Sequence, residues 1–128
     1  MIRSITALLC MCIMSVPAIS KDSFVLDSLG EAQELCEVTH KPLLLIFGAD
    51  YCKYCHKLQE DISNSKLSPA IDEYIICYID IQKHNDLKTQ YGVSIIPDSR
   101  IIKSNKETDS IKGYGTQKYI SWLNNARK

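Results

Sequence analysis

The 128-residue sequence predicts an α/β fold, a central mixed β-sheet with helices on both faces, and three observations carry that prediction. Leu43-Leu44-Leu45-Ile46-Phe47 is continuously apolar, as a parallel strand covered on both faces would be. Segments of helical spacing alternate with strand-like runs in the order β-α-β-α-β-α-β-β-α. A composition of 45% hydrophobic and 23% charged residues suits one globular domain rather than two, or a disordered chain.

The opening residues stand apart from that domain. Met1-Ile2-Arg3-Ser4 is a short positive start, and Ile5 to Val16 is an apolar run of signal-peptide length. Pro17-Ala18-Ile19-Ser20 then supplies the small residues a signal peptidase reads. The expected division is a signal peptide over 1–20, with cleavage after Ala18 as the alternative, and one domain over 21–128. The run is too short to span a bilayer comfortably, so no permanent membrane anchor is expected. Cys10, Cys12 and all three methionines leave with the signal. Arg3 is the one charge removed, leaving 14 basic and 15 acidic side chains, a balance that points to neither nucleic acid nor an anionic membrane as partner. Export to a periplasmic or secreted location makes disulfides permissible for the four remaining cysteines, Cys36, Cys52, Cys55 and Cys77.

Phe24-Val25-Leu26 reads as an edge strand. Asp27 or Ser28 caps a helix whose apolar face is Leu29, Ala32, Leu35 and Cys36, and His40-Lys41-Pro42 ends it. After the Leu43–Phe47 strand, a helix carries Leu58 and Ile62 inward and breaks at Ser63-Asn64-Ser65, with Asp50 as its expected cap. Ser68-Pro69 starts a brief helix with proline in its first turn. Tyr74 to Ile81 is a further buried strand, and Asn85 caps a short helix closed by Gly92. Two strand-like runs follow, Ser99 to Lys103 and Ser110 to Lys112. Gly113 and Gly115 then turn the chain into a last helix bearing Tyr119, Ile120 and Leu123.

The chemistry concentrates in Cys52-Lys53-Tyr54-Cys55-His56, where the buried strand gives way to a helix. Two thiols spaced C-x-x-C in a first helical turn suit dithiol–disulfide exchange. The helix terminus favours thiolate at the first sulfur, and the second lies one turn along, close enough to attack a mixed disulfide. Lys53 adds positive charge beside Cys52, which raises the oxidising power of the disulfide form. The imidazole of His56 tunes the thiolate in one reading and is a solvated helix residue in the other. Tyr54 belongs to the rim.

The same five residues spell the C-x-x-C-H signature of c-type haem attachment, so a haem-binding electron carrier is the alternative function. Such a carrier usually needs a second axial ligand, often methionine, and the methionines are confined to residues 1–20. Structural zinc needs about four ligands, and no second C-x-x-C or H-x-x-H pair exists, so no metal is expected. Cys36 and Cys77 read as small core residues, with a bridge between them left open. His40, His84 and Lys103 to Lys106 read as surface.

The element order, with C-x-x-C after the second strand and Ile96-Pro97 before the fourth, resembles the thioredoxin fold over essentially all of 21–128. Cys-Lys-Tyr-Cys-His-Lys-Leu is similar to the active-site helix of the periplasmic disulfide isomerases. About ten residues separate that helix from the third strand, leaving no room for the helical insertion of periplasmic Dsb-type enzymes. The resemblance implies a thiol:disulfide oxidoreductase with no cofactor beyond its dithiol, in which Cys52 attacks and Cys55 resolves. It also implies that Pro97 is a cis-proline facing the sulfurs, and that the Ile96 backbone pairs with an extended substrate as an added strand. Cysteine-containing exported proteins and a redox-recycling partner are the expected partners, and the chain is expected to be monomeric. It departs from thioredoxins in having Ile46 where they usually carry a buried acid, and in Tyr51 and Lys53-Tyr54 in place of their tryptophan and Gly-Pro.

Overall fold

The computed structural model describes residues 25–127, so the expected signal peptide and Phe24 lie outside the described residues. Five strands form one sheet in the order β1-β3-β2-β4-β5. The two-residue β1 (Val25–Leu26) is an edge strand parallel to β3 (Ile75–Asp80), which is parallel to the central β2 (Leu43–Gly48). β4 (Asp98–Lys103) and β5 (Lys106–Lys112) add an antiparallel half, joined by Ser104 and Asn105 in left-handed conformations.

Every residue of β2 is buried, as its unbroken apolar run requires, because helices cover both faces of the sheet. Leu44 and Ile46 point to one face, where Leu58 and Ile62 of α2 (Lys53–Ser63) and Tyr119 and Leu123 of α4 (Thr116–Ala126) pack. Leu43, Leu45 and Phe47 point to the other, packing with Ala32 of α1 (Leu29–Thr39) and Leu87 of α3 (Asn85–Gln90). Ser28 caps α1, accepting from the Glu31 N–H, and His40 ends it in a left-handed conformation before Pro42. Among the described residues, no helix is long and apolar enough to cross a membrane.

Four local expectations are corrected. Residues 64–73 wind as successive turns rather than as a helix starting at Ser68-Pro69. Leu67, Ala70, Ile71 and Tyr74 are buried at helical spacing, but most backbone bonds here span three residues, with Ile71 N–H to the Leu67 carbonyl spanning four, so no regular α-helix propagates. The N-cap of α3 is His84, without a side-chain bond, and Asn85 is already helical. Cys52, not Asp50, caps α2. β5 begins four residues earlier than its apolar signal, because Lys106–Ser110 is an exposed, wholly polar edge. Gly92 closes α3 as expected: it adopts φ 63°, with Gly92 N–H bonded to the Thr89 carbonyl and Val93 N–H to the Lys88 carbonyl.

The site is placed by the end of β2. Gly48 is its last residue, and a Cβ there would run into the Tyr78 phenol, 2.6 Å from Cζ. Replacing Gly48 with alanine should destabilise the protein by roughly 1–3 kcal/mol through overpacking. The cost should shrink in a Tyr78→Leu background, and urea denaturation of the four proteins measures that coupling.

Candidate active site

Cys52 sits at the N-cap of α2 in an extended conformation (φ −93°, ψ 111°), and its sulfur accepts the Cys55 N–H at 3.2 Å. A sulfur in this position takes the place of a capping oxygen and faces the positive end of the helix dipole, which favours a thiolate there. Cys52 and Cys55 form a disulfide, their Cα atoms 5.2 Å apart. The two sulfurs are unequal: Cys52 retains 9% exposure and Cys55 none. Lys53 and Tyr54 are both exposed on the first turn beyond the cap, with Tyr51 exposed before it. The His56 ring reaches back, its Nε2 donating to the Asp50 carbonyl at 2.5 Å, so the imidazole ties α2 to the loop that delivers Cys52.

The register of β2 on β4 brings in the second motif. Phe47 pairs with Asp98, so Pro97 falls at the end of the sheet where Gly48 leads into the Cys52 loop. The Ile96–Pro97 peptide bond is cis, Pro97 is buried, and its carbonyl accepts the Gly113 N–H at 2.8 Å. Ile96 is half-buried and Ile95 is exposed.

Cys36 and Cys77 are free thiols on α1 and β3. Burial pushes the Cys77 thiol up to about 12 and raises that of Cys36, which disfavours thiolate at both. Among the described residues, no group of three or more His, Cys, Asp or Glu side chains could hold a metal ion.

Two buried carboxylates went unforeseen. Asp98 is paired with Arg100. Asp61, on the buried stripe of α2, accepts from the Tyr114 hydroxyl at 2.5 Å and the Thr116 hydroxyl at 2.8 Å, with the Lys57 ammonium 3.0 Å from its other oxygen. It therefore fastens the cysteine-bearing helix to the start of α4. An Asp one place before Ile62 on an apolar stripe is a visible signal, but partners more than fifty residues away are not. At Ile46, where an acid was noted as missing, the neighbouring strand presents Tyr78. Burial, with the Asp80 and Asp50 carboxylates, pushes that hydroxyl up to about 12 and keeps it neutral.

A slightly exposed cysteine at a helix N-cap, disulfide-bonded to a fully buried one a turn along, defines a dithiol–disulfide oxidoreductase centre. The comparisons agree. The thioredoxin family model matches residues 29–125, and the chain belongs to the thioredoxin family. It is 27% identical over 119 residues to the disulfide bond reductase DsbH of Chlamydia pneumoniae, covering 80% of this chain and 72% of that one. It is 31% identical over 105 residues to the protein disulfide-isomerase of Oryctolagus cuniculus, covering 77% of this chain but only 20% of that much longer protein. Thioredoxin NaTrxh of Nicotiana alata superposes with a TM-score of 0.68 at 20% identity, over 85% of this chain and 97% of its own. The protein is thus a thioredoxin-like thiol:disulfide oxidoreductase with a Cys52–Cys55 disulfide. The haem reading of the C-x-x-C-H motif draws no support from the fold or the relatives.

Asp61 makes a pH prediction. Burial alone would raise its pKa, but the hydrogen bonds from Tyr114, Lys57 and Thr116 outweigh it and hold the carboxyl down at about 2, against an ordinary 3.8. A depressed carboxyl stabilises the fold above its unfolded pKa, and that contribution is lost as pH falls from about 4 towards 2. Asp61→Asn should cost about 1–2 kcal/mol at neutral pH, the exposed lysine being screened by solvent, and should flatten that part of the acid limb. Urea unfolding of both proteins at pH 6, 4 and 2 checks it.

Proposed function

We propose that this chain is an exported oxidoreductase that exchanges disulfides with the cysteines of other exported proteins, Cys52 attacking and Cys55 resolving. The observation that carries the assignment is the asymmetry of the pair, a helix-capping Cys52 that keeps 9% exposure against a Cys55 that keeps none. In the reducing direction the Cys52 thiolate attacks a substrate disulfide, forming a mixed disulfide and expelling one substrate thiolate, which takes up a proton. Cys55 then gives up its proton and attacks the Cys52 sulfur, expelling the second thiolate. The substrate gains two electrons and two protons, and the protein is left with its Cys52–Cys55 disulfide. A partner dithiol returns it to the reduced state, and the same steps run backwards oxidise a substrate dithiol.

Lys53, one residue beyond Cys52, stabilises the thiolate and so raises the oxidising power of the pair. His56 contributes by holding the Asp50–Cys52 loop, as its bond to the Asp50 carbonyl suggests. Tyr54 offers an exposed apolar rim, and the Ile96 backbone beside Pro97 receives the substrate as an added strand. The signal-like residues 1–20 support export to the periplasm or beyond. The relatives are a disulfide bond reductase and a disulfide isomerase, so reduction and isomerisation are the directions they favour.

Replacing Cys55 with alanine tests the mechanism. Cys52 should still attack but release its partner slowly, so adducts should accumulate that survive denaturing gels and vanish on adding reductant. Cys52→Ala should trap far fewer, and Cys36→Ala with Cys77→Ala should leave trapping intact in a folded protein. Equal trapping without Cys52 would overturn the roles assigned here.

A further inference from the structure

The segment Gly92–Pro97 carries Ile95, Ile96 and Pro97 across the site, yet its backbone anchors lie at its ends, Val93 N–H on the Lys88 carbonyl and Gly113 N–H on the Pro97 carbonyl. One side chain grips both flanks. The Arg100 guanidinium forks onto the Asp98 carboxylate, Nε to Oδ1 at 3.2 Å and Nη2 to Oδ2 at 3.1 Å, and Asp98 directly follows Pro97. The same group lies 5.5 Å from the Tyr91 ring centroid, and Tyr91 is the C-cap of α3, directly before Gly92. It also lies 5.7 Å from the Phe47 ring, which packs on Tyr91 at 5.2 Å, and Nη1 reaches Glu107 on β5 at 3.2 Å.

A buried carboxylate has to be paired, and a planar fork that also stacks on aromatic rings can hold two directions at once, which an ammonium cannot. Asp98 is fully buried and Arg100 nearly so, so the arrangement is not a screened surface pair.

We infer that Arg100 is a positioning residue, a clasp that closes the Gly92–Pro97 segment by holding Tyr91 to Asp98 and so sets the edge on which an extended polypeptide substrate docks. This rests on the reading that the Ile96–Pro97 edge receives substrate. It makes the clasp matter for polypeptide disulfides and leaves small disulfides, which need only the Cys52 sulfur, indifferent to it.

The test uses dithiothreitol-driven reduction of insulin as the polypeptide reaction and of bis(2-hydroxyethyl) disulfide as the small one. Arg100→Lys keeps a cation opposite Asp98 but loses the fork and the stacking. It should raise KM for insulin about tenfold, with kcat and the small-disulfide rate within about twofold of the parent. Tyr91→Leu, which opens the other side of the clasp and leaves the Asp98–Arg100 pair intact, should shift KM the same way and carries the test if Arg100→Lys does not fold. A purely structural role would lower the folded fraction and both rates together, and that result would overturn the inference. An unchanged insulin KM in folded Arg100→Lys and Tyr91→Leu would overturn it too. Ile96→Asp separates the two layers. If it raises the insulin KM while the clasp variants do not, the clasp alone fails; if it too leaves KM unchanged, the docking edge fails and the clasp with it.

Discussion

The antiparallel register of β2 on β4, with Phe47 opposite Asp98, is the constraint on which the rest of the site depends. β2 ends at Gly48 and releases the chain into the Cys52 loop, while β4 begins at Asp98 directly after Pro97. Pairing those two ends puts the redox motif and the Ile96–Pro97 segment at one end of the sheet. A slip of one residue would send Leu44 and Ile46 to the wrong face and open both core clusters, so burial itself holds the register. The tight approach of Tyr78 to Gly48 pins the same strand end from the other neighbour.

Either side of the site is then fixed by a buried carboxylate. Asp61 binds α2 to the Tyr114–Thr116 start of α4, and Asp98 binds the first residues of β4 to Arg100. Both carboxylates have fully buried side chains and both face a cation, Asp61 the Lys57 ammonium and Asp98 the Arg100 guanidinium, as burial of a charge demands. A catalytic helix that must present a sulfur at its own N-cap needs its axis held from further along, and Asp61, nine residues beyond Cys52, does so without touching the reacting atoms.

Much of this was readable in the sequence. The apolar run Leu43–Phe47 and the C-x-x-C after it placed β2, α2 and the cysteines, because burial on both faces leaves no other reading of such a run. Gly92 marked the end of α3 because a left-handed helix exit favours glycine. What escaped was of three kinds. Lys106–Ser110 has no apolar alternation, since an exposed edge strand needs none, and its strand character is set by β4 alongside it. Leu67, Ala70, Ile71 and Tyr74 had helical spacing, but burial was satisfied by turns. The Asp98–Arg100 pair left a local trace, opposite charges two apart on one strand face. The remoter partners of Arg100 and Asp61 are set by the tertiary fold alone.

The central claim is that Cys52–Cys55 is a working redox couple, poised by the helix terminus and Lys53 rather than locked as a structural bridge. Its reduction potential tests this most directly, measured by equilibrating the protein in glutathione or dithiothreitol buffers of graded ratio and counting alkylated Cys52 and Cys55. The account predicts one two-electron transition at that pair, with a midpoint above the roughly −270 mV of thioredoxin. A midpoint below about −300 mV, the range of structural disulfides, would contradict it.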